Sequence, residues 1–168
     1  GFLFLQKVGN LRLILIWLVS SSMFFYGWWN PVYLLLLIFS ACVNYFLGTL
    51  LAKGGKNQGR HWLVLGVLFN LGLLGYFKYA NFFIDNFRVA MDWSFEFEKI
   101  ILPLGISFFT FQKIAYLVDS RKGLTEDHGF LEYCLFVAFF PQLIAGPIVH
   151  HREMLAQFKT LTDRFRTY

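Results

Sequence analysis

The sequence predicts an all-α, polytopic membrane protein with spanning helices, one broken or re-entrant segment and interfacial amphipathic helices. Three observations carry that reading. Of 168 residues, 57% are hydrophobic and only 15% are charged, where a soluble domain carries about a quarter. That leaves too little polar surface to cover a globule in water. Forty consecutive residues, Leu13 to Ala52, contain no Asp, Glu, Lys or Arg. The basic residues gather at the ends of apolar runs, so the net charge of +5 follows the positive-inside pattern. The same balance argues against a soluble enzyme, a nucleic-acid binder and a disordered chain. The length allows one domain. Beginning at Gly1 and stopping at Tyr168 after a basic stretch, the chain reads as part of a longer protein.

The uncharged forty residues are twice what one helix needs to cross about 30 Å of hydrocarbon. Asn30-Pro31 falls near their middle, after Tyr26, Trp28 and Trp29. Asn-Pro marks a turn, Pro suits the first turn of a following helix, and Trp and Tyr favour the lipid–water interface. The prediction is a hairpin of spanning helices, about 11–28 and 32–52, turning at Trp28–Pro31. Lys53 to Arg60 then forms a polar loop with three positive charges and no negative one. With Lys7 and Arg12 at the other end, both ends are expected in the cytoplasm and the turn outside. A third span covers 61–77, where Gly66, Gly72 and Gly75 allow close helix approach. Residues 80–99 mix Phe82, Phe83 and Phe87 with Asp85, Arg88 and Asp92. They read as a separate amphipathic segment lying in the interface.

The fourth apolar run, Ile100 to Val118, is interrupted by Pro103, Gly105, Ser107, Thr110, Gln112 and Lys113. Lys113 is costly inside an apolar segment, so it faces a cavity, pairs with a carboxylate or snorkels to the interface. Lys113 and Asp119, six residues apart, do not share one regular helix face. The last run, Phe130 to Val149, contains Pro141, Gly146 and Pro147, which preclude a straight span. Gln142 is the nearest side chain able to serve the freed backbone groups as donor and acceptor. The tail 150–166 reads as an interfacial helix with a basic face. Cys42 and Cys134 read as buried packing thiols.

Phosphate-loop, dinucleotide, zinc-protease, nucleophile-elbow and paired-cysteine motifs are all absent from the sequence. Ser20-Ser21-Ser22 sits in an apolar helix, where hydroxyls bond back to the preceding turn. His150-His151 are adjacent and point to different faces, so they make poor joint metal ligands. They read either as an interfacial hydrogen-bonding pair or as part of a substrate site. No metal site is predicted.

Five stretches carry a resemblance: Phe25-Tyr-Gly-Trp-Trp29, Gly75-Tyr-Phe-Lys-Tyr-Ala-Asn81, Leu102-Pro-Leu-Gly-Ile-Ser-Phe-Phe-Thr-Phe-Gln112, Tyr116-Leu-Val-Asp119-Ser-Arg121 and Phe139-Phe-Pro-Gln-Leu-Ile-Ala-Gly-Pro-Ile148. Together they resemble the membrane-bound O-acyltransferase (MBOAT) family, in its bacterial alginate O-acetyltransferase branch, over nearly the whole chain. The resemblance implies that 1–168 is the N-terminal part of a single multi-pass domain of the bacterial inner membrane. It implies transfer of an acyl group, acetyl in that branch, across the membrane to an extracytoplasmic polysaccharide such as alginate. The donor would be acetyl-coenzyme A or another acyl carrier, arriving as substrate with no bound cofactor. Periplasmic acetylation proteins would be partners, besides lipid. The family's catalytic histidine lies downstream of these motifs, and none of His61, His128, His150 and His151 matches it. No residue here is therefore expected to be catalytic. Lys113, Asp119, Gln142, His150 and His151 are the candidates for the wall of a substrate tunnel. A transporter or channel subunit with a broken-helix permeation path is the alternative that the same polar residues allow.

Overall fold

The computed structural model describes residues 11–53, 56–91, 99–125 and 129–138. These form five helices: α1 Leu11–Trp29, α2 Pro31–Lys53, α3 Lys56–Ala90, α4 Ile106–Arg121 and α5 Phe130–Ala138. All described regular structure is helical. Two helices, over Pro31–Lys53 and Gly59–Ala90, are long and apolar enough to cross a membrane.

The α1–α2 hairpin turns where the sequence places it. Asn30 is the only residue between the two helices, and its side-chain Oδ1 accepts from the backbone N–H of Val32 at 3.0 Å and Tyr33 at 3.3 Å. That is an N-cap, with Pro31 in the first helical position where its missing N–H costs nothing. Trp28 projects at 82% exposure, whereas Tyr26 is buried and donates its hydroxyl to Leu104 O at 2.9 Å. Tyr33 donates likewise to Ile101 O at 2.5 Å. The hairpin tip thus holds the irregular stretch before α4. Pro103 lies in that stretch, and Gly105 ends it with φ 69°, a left-handed conformation that glycine adopts without strain.

Two expectations are corrected. The polar loop is shorter than predicted, because helix resumes at Lys56. Residues 80–90 are not a separate interfacial segment but continue α3, which runs for 35 residues, about 52 Å at 1.5 Å per residue. Nothing between Tyr76 and Ala90 breaks a helix, and a helix can carry charge once it has outrun the hydrocarbon. Asn81 anchors this far part to the stretch before α4, donating to Ile100 O at 2.7 Å and accepting from Ile100 N at 3.0 Å.

α4 packs against α2 and α3, and α5 packs chiefly against α1. Contacts at 40–113 and 48–116 follow the same order along both helices, so α4 runs parallel to α2. Gly48 makes this possible: a Cβ there would collide with the Tyr116 ring. Gly66 plays the same part under Leu117, while Gly72 and Gly75 have open space beside them. Of the three glycines expected to seat a neighbour, only Gly66 does. Cys134 is buried as expected, but Cys42 is exposed, on an apolar groove with Phe39, Phe46 and Leu68. Leu68 at 64% exposure belongs to a surface suited to lipid. The predicted break at 139–149 and the tail helix 150–166 lie outside the described residues.

Gly48→Ala is expected to lower the stability of the purified protein by about 1–3 kcal/mol through overpacking. Combining it with Tyr116→Leu should restore most of that loss, as read by thermal unfolding in detergent.

Candidate functional site

The most apolar part of the chain encloses a line of polar side chains. Ser40 and Asn44 lie one turn apart on α2 and are 1% and 0% exposed. Asn44 Nδ2 donates to Ser40 O at 2.8 Å, within its own helix. Asn70 of α3 does the same, donating to Gly66 O at 2.7 Å. The two amides then face each other: Asn70 Nδ2 donates to Asn44 Oδ1 at 2.5 Å, and Asn44 Nδ2 to Asn70 Oδ1 at 3.2 Å. Small polar residues joining helices in this way act as glue where lipid supplies no hydrophobic drive.

Lys113 joins the same line from α4. Its side chain is 1% exposed, and its ammonium donates to Ser40 Oγ. The Nζ also lies 4.2 Å from the centroid of the Phe109 ring, within the range of cation–π attraction. Ser40 Oγ in turn donates to Leu37 O at 3.1 Å. Of the environments expected for Lys113, the carboxylate partner is replaced by a hydroxyl and a ring face. Snorkelling is replaced by burial. Phe109 precedes Lys113 by four residues, so its ring falls on the same helix face.

Gln112, next to Lys113, is also 1% exposed, and neither atom of its amide has a hydrogen-bond partner among the described residues. Burying an amide unpaired costs about 1–3 kcal/mol by protein mutational measures. The hydroxyl of Tyr133 on α5 is buried and unpartnered in the same way. Tyr133 packs on Tyr116 with ring centroids 4.3 Å apart, and both pack on Tyr45. Beyond this aromatic cluster lies a cavity of about 300 Å³ lined by Thr49, Lys53, Tyr116 and Thr125. Thr125, on its lining, donates to Ser120 Oγ at 2.9 Å. The cavity lies at the end where α2 and α4 finish, with Lys53, Arg121 and Lys122.

Asp119 is half-buried three residues beyond Tyr116, and its carbonyl accepts from the N–H of Lys122 and of Leu124, both at 3.0 Å. It lies near the cavity end, about 9 Å along the helix from Lys113, so the two candidates serve different levels of α4. Gln142, His150 and His151 lie outside the described residues. Among the described residues, no three of His, Cys, Asp and Glu gather as metal ligands would. The interior therefore offers hydrogen bonds and one positive charge in a low-dielectric setting. It is suited to holding and orienting a polar group.

Sequence reasoning missed Ser40, Asn44 and Asn70. The signal was present, since a serine and an asparagine four apart, in a run with no charge, must share a helix face.

Relatives now add to the geometry. The chain is 44% identical to the peptidoglycan O-acetyltransferase of Helicobacter pylori, across 91% of this chain and 34% of that protein. It is 38% identical to the probable alginate O-acetylase AlgI of Pseudomonas aeruginosa, across 88% of this chain and 30% of that protein. The chain is homologous to membrane O-acetyltransferases of the MBOAT family. A teichoic acid D-alanyltransferase of Lacticaseibacillus rhamnosus matches more narrowly, 30% identical across 36% of this chain. No family model and no solved structure matches. This MBOAT homologue spans about a third of the length of the curated relatives it matches most fully. The alignments cover most of the chain, so the Ser40–Lys113 and Asn44–Asn70 links belong to the part it shares with O-acetyltransferases.

The Lys113 environment gives directional expectations. Lys113→Met should leave the unfolding temperature unchanged or raise it, because a buried ammonium with no carboxylate partner among the described residues is costly in an apolar setting. Ser40→Ala should lower it, by stripping the ammonium of its hydroxyl. In the Lys113→Met background Ser40→Ala should have little effect.

Proposed function

We propose that this chain forms the N-terminal, multi-pass part of an O-acyltransferase of the bacterial inner membrane, which transfers acetyl groups to an extracytoplasmic polysaccharide. The observation that carries the reading is the homology across nine-tenths of this chain to a peptidoglycan O-acetyltransferase, repeated with alginate O-acetylases. The acceptor is a glycan of the cell surface, alginate or peptidoglycan by the names of those relatives. Acetyl-coenzyme A or another acyl carrier brings the acetyl group, and periplasmic acetylation proteins complete the delivery. The described helices contribute the wall of the substrate path. Lys113 is buried inside α2, α3 and α4, and Asp119 lies nearer the cavity; Gln142, His150 and His151 extend the wall in the following segment. Chemistry comes from a histidine beyond this chain.

A line of buried polar side chains would equally serve a transporter, but the matched relatives are named as acetylases and transferases, and that favours transfer. The test is performed in cells. A bacterial strain deleted for its own polysaccharide O-acetylase should regain alkali-labile acetate on its surface glycan when the full-length protein containing this chain is expressed. Acetate absent from every surface polymer, with the protein present in the membrane, would contradict the reading. The 168-residue chain alone should transfer nothing.

A further inference from the structure

α2 turns two different faces to its surroundings. Ser40, Asn44 and Gly48 face the bundle, whereas Val32, Leu35, Phe39 and Phe46, spaced at three to four residues on the opposite face, are all more than half exposed. Between that outer face and α3 runs an open groove of about 740 Å³, with Phe39, Cys42 and Phe46 on one wall and Leu65, Leu68 and Phe69 on the other. The Phe39 and Phe69 rings link the walls edge to face, centroids 6.4 Å apart. Apart from the Cys42 thiol, every lining side chain among the described residues is aliphatic or aromatic.

The depth of the groove narrows its occupant. Between Arg60 and Lys78 α3 carries no Asp, Glu, Lys or Arg, over about 27 Å, close to the hydrocarbon thickness of about 30 Å. Trp62 stands at one end of this stretch and Tyr76 and Tyr79 at the other, all partly or largely exposed, as aromatic belts at two interfaces would be. Tyr33 of α2 packs on Phe77 with centroids 5.8 Å apart, so the start of α2 is level with the second belt. Leu68 and Phe69 fall midway between the belts, and Cys42 falls midway along α2. The groove therefore lies at the centre of the bilayer, where the solvent is hydrocarbon. Its walls are also wrong for a packed helix. Helices in lipid approach at small residues, as α4 does over Gly48 and Gly66, and the groove presents no glycine, alanine or serine.

We propose that the α2–α3 groove is a seat for the acyl chain of a membrane phospholipid, and that it stays open to lipid in the full-length protein. The inference rests on α2 and α3 crossing the membrane and is independent of the acyl-transfer reading. A slender, flexible chain fits between large side chains without small residues to receive it. With the chain in place, lipid fills the outer side of the same helix pair that Asn44 and Asn70 join from within. The remainder of the longer protein then packs on other faces of the bundle.

The test uses the full-length protein reconstituted into vesicles of phosphatidylethanolamine and phosphatidylglycerol, with a small fraction of a phospholipid carrying a diazirine at mid-chain. After illumination, adducts are mapped by peptide mass spectrometry. Ile38 and Leu71 serve as references, since both are exposed near the same depth outside the groove. Adducts on Phe39–Leu47 and Leu65–Phe69 are expected several-fold above those on Ile38 and Leu71. Leu68→Trp, which fills the groove from an exposed position, should reduce the groove adducts several-fold and leave the reference adducts unchanged. Should Leu68→Trp not accumulate, Cys42→Phe is expected to do the same. Reference adducts without groove adducts would mean that protein covers the groove, and would overturn the inference alone. Groove adducts equal to the reference and insensitive to both variants would also overturn it, leaving only bulk lipid contact. Adducts at neither place, with the protein in the vesicles, would remove the spanning reading of α2 and α3 as well.

Discussion

Asn44 and Asn70 exchange hydrogen bonds inside helices that also expose many large apolar side chains. In lipid there is no hydrophobic drive to bring α2 and α3 together, since acyl chains solvate leucine as well as another helix does. A polar pair with no water to turn to supplies a specific reason for the two helices to meet, and in one register. Each asparagine also bonds back to the carbonyl four residues before it, so the amides are fixed in orientation before they meet. From that register the rest follows. Ser40, one turn from Asn44, is presented to α4 and takes the Lys113 ammonium. Gly48, two turns further, takes the Tyr116 ring.

The arrangement separates two ends of the bundle. At the hairpin tip, Tyr26 and Tyr33 satisfy carbonyls of the irregular stretch around Pro103, which would otherwise be backbone without partners in an apolar setting. At the other end, the finish of α2 and α4 leaves a cavity bordered by hydroxyls and Lys53. Between them polar side chains are buried within a mainly apolar core.

Much of the fold was legible in the sequence because the chain punctuates itself. Asn30-Pro31 interrupts forty uncharged residues, and the structure places both helix ends there to within one residue. Pro103 and Gly105 delay α4 to Ile106 for the same local reasons. The extent of α3 was not legible. Charge from Asp85 and Arg88 suggested a change of element, but charge changes only the solvent a helix needs, while the backbone continues until something breaks it. Lys113 was singled out correctly as an expensive residue; its partner was not, because Ser40 lies 73 residues away and nothing local links them. Cys42 and Cys134 look alike in sequence, yet one faces outward and one inward, since apolar neighbours in sequence do not by themselves imply burial. The family was readable from short motifs, and the matched relatives agree with it.

The asparagine pair is the link expected to join α2 to α3. A double-mutant cycle of Asn44→Leu and Asn70→Leu, read by equilibrium unfolding of the full-length protein in detergent, measures this directly. Each single change strands a buried amide and should lower stability by about 1–3 kcal/mol. The double change removes both amides and should cost less than the sum, with a coupling of about 1 kcal/mol or more. Strictly additive losses would mean that the two amides do not depend on each other, and would contradict the account.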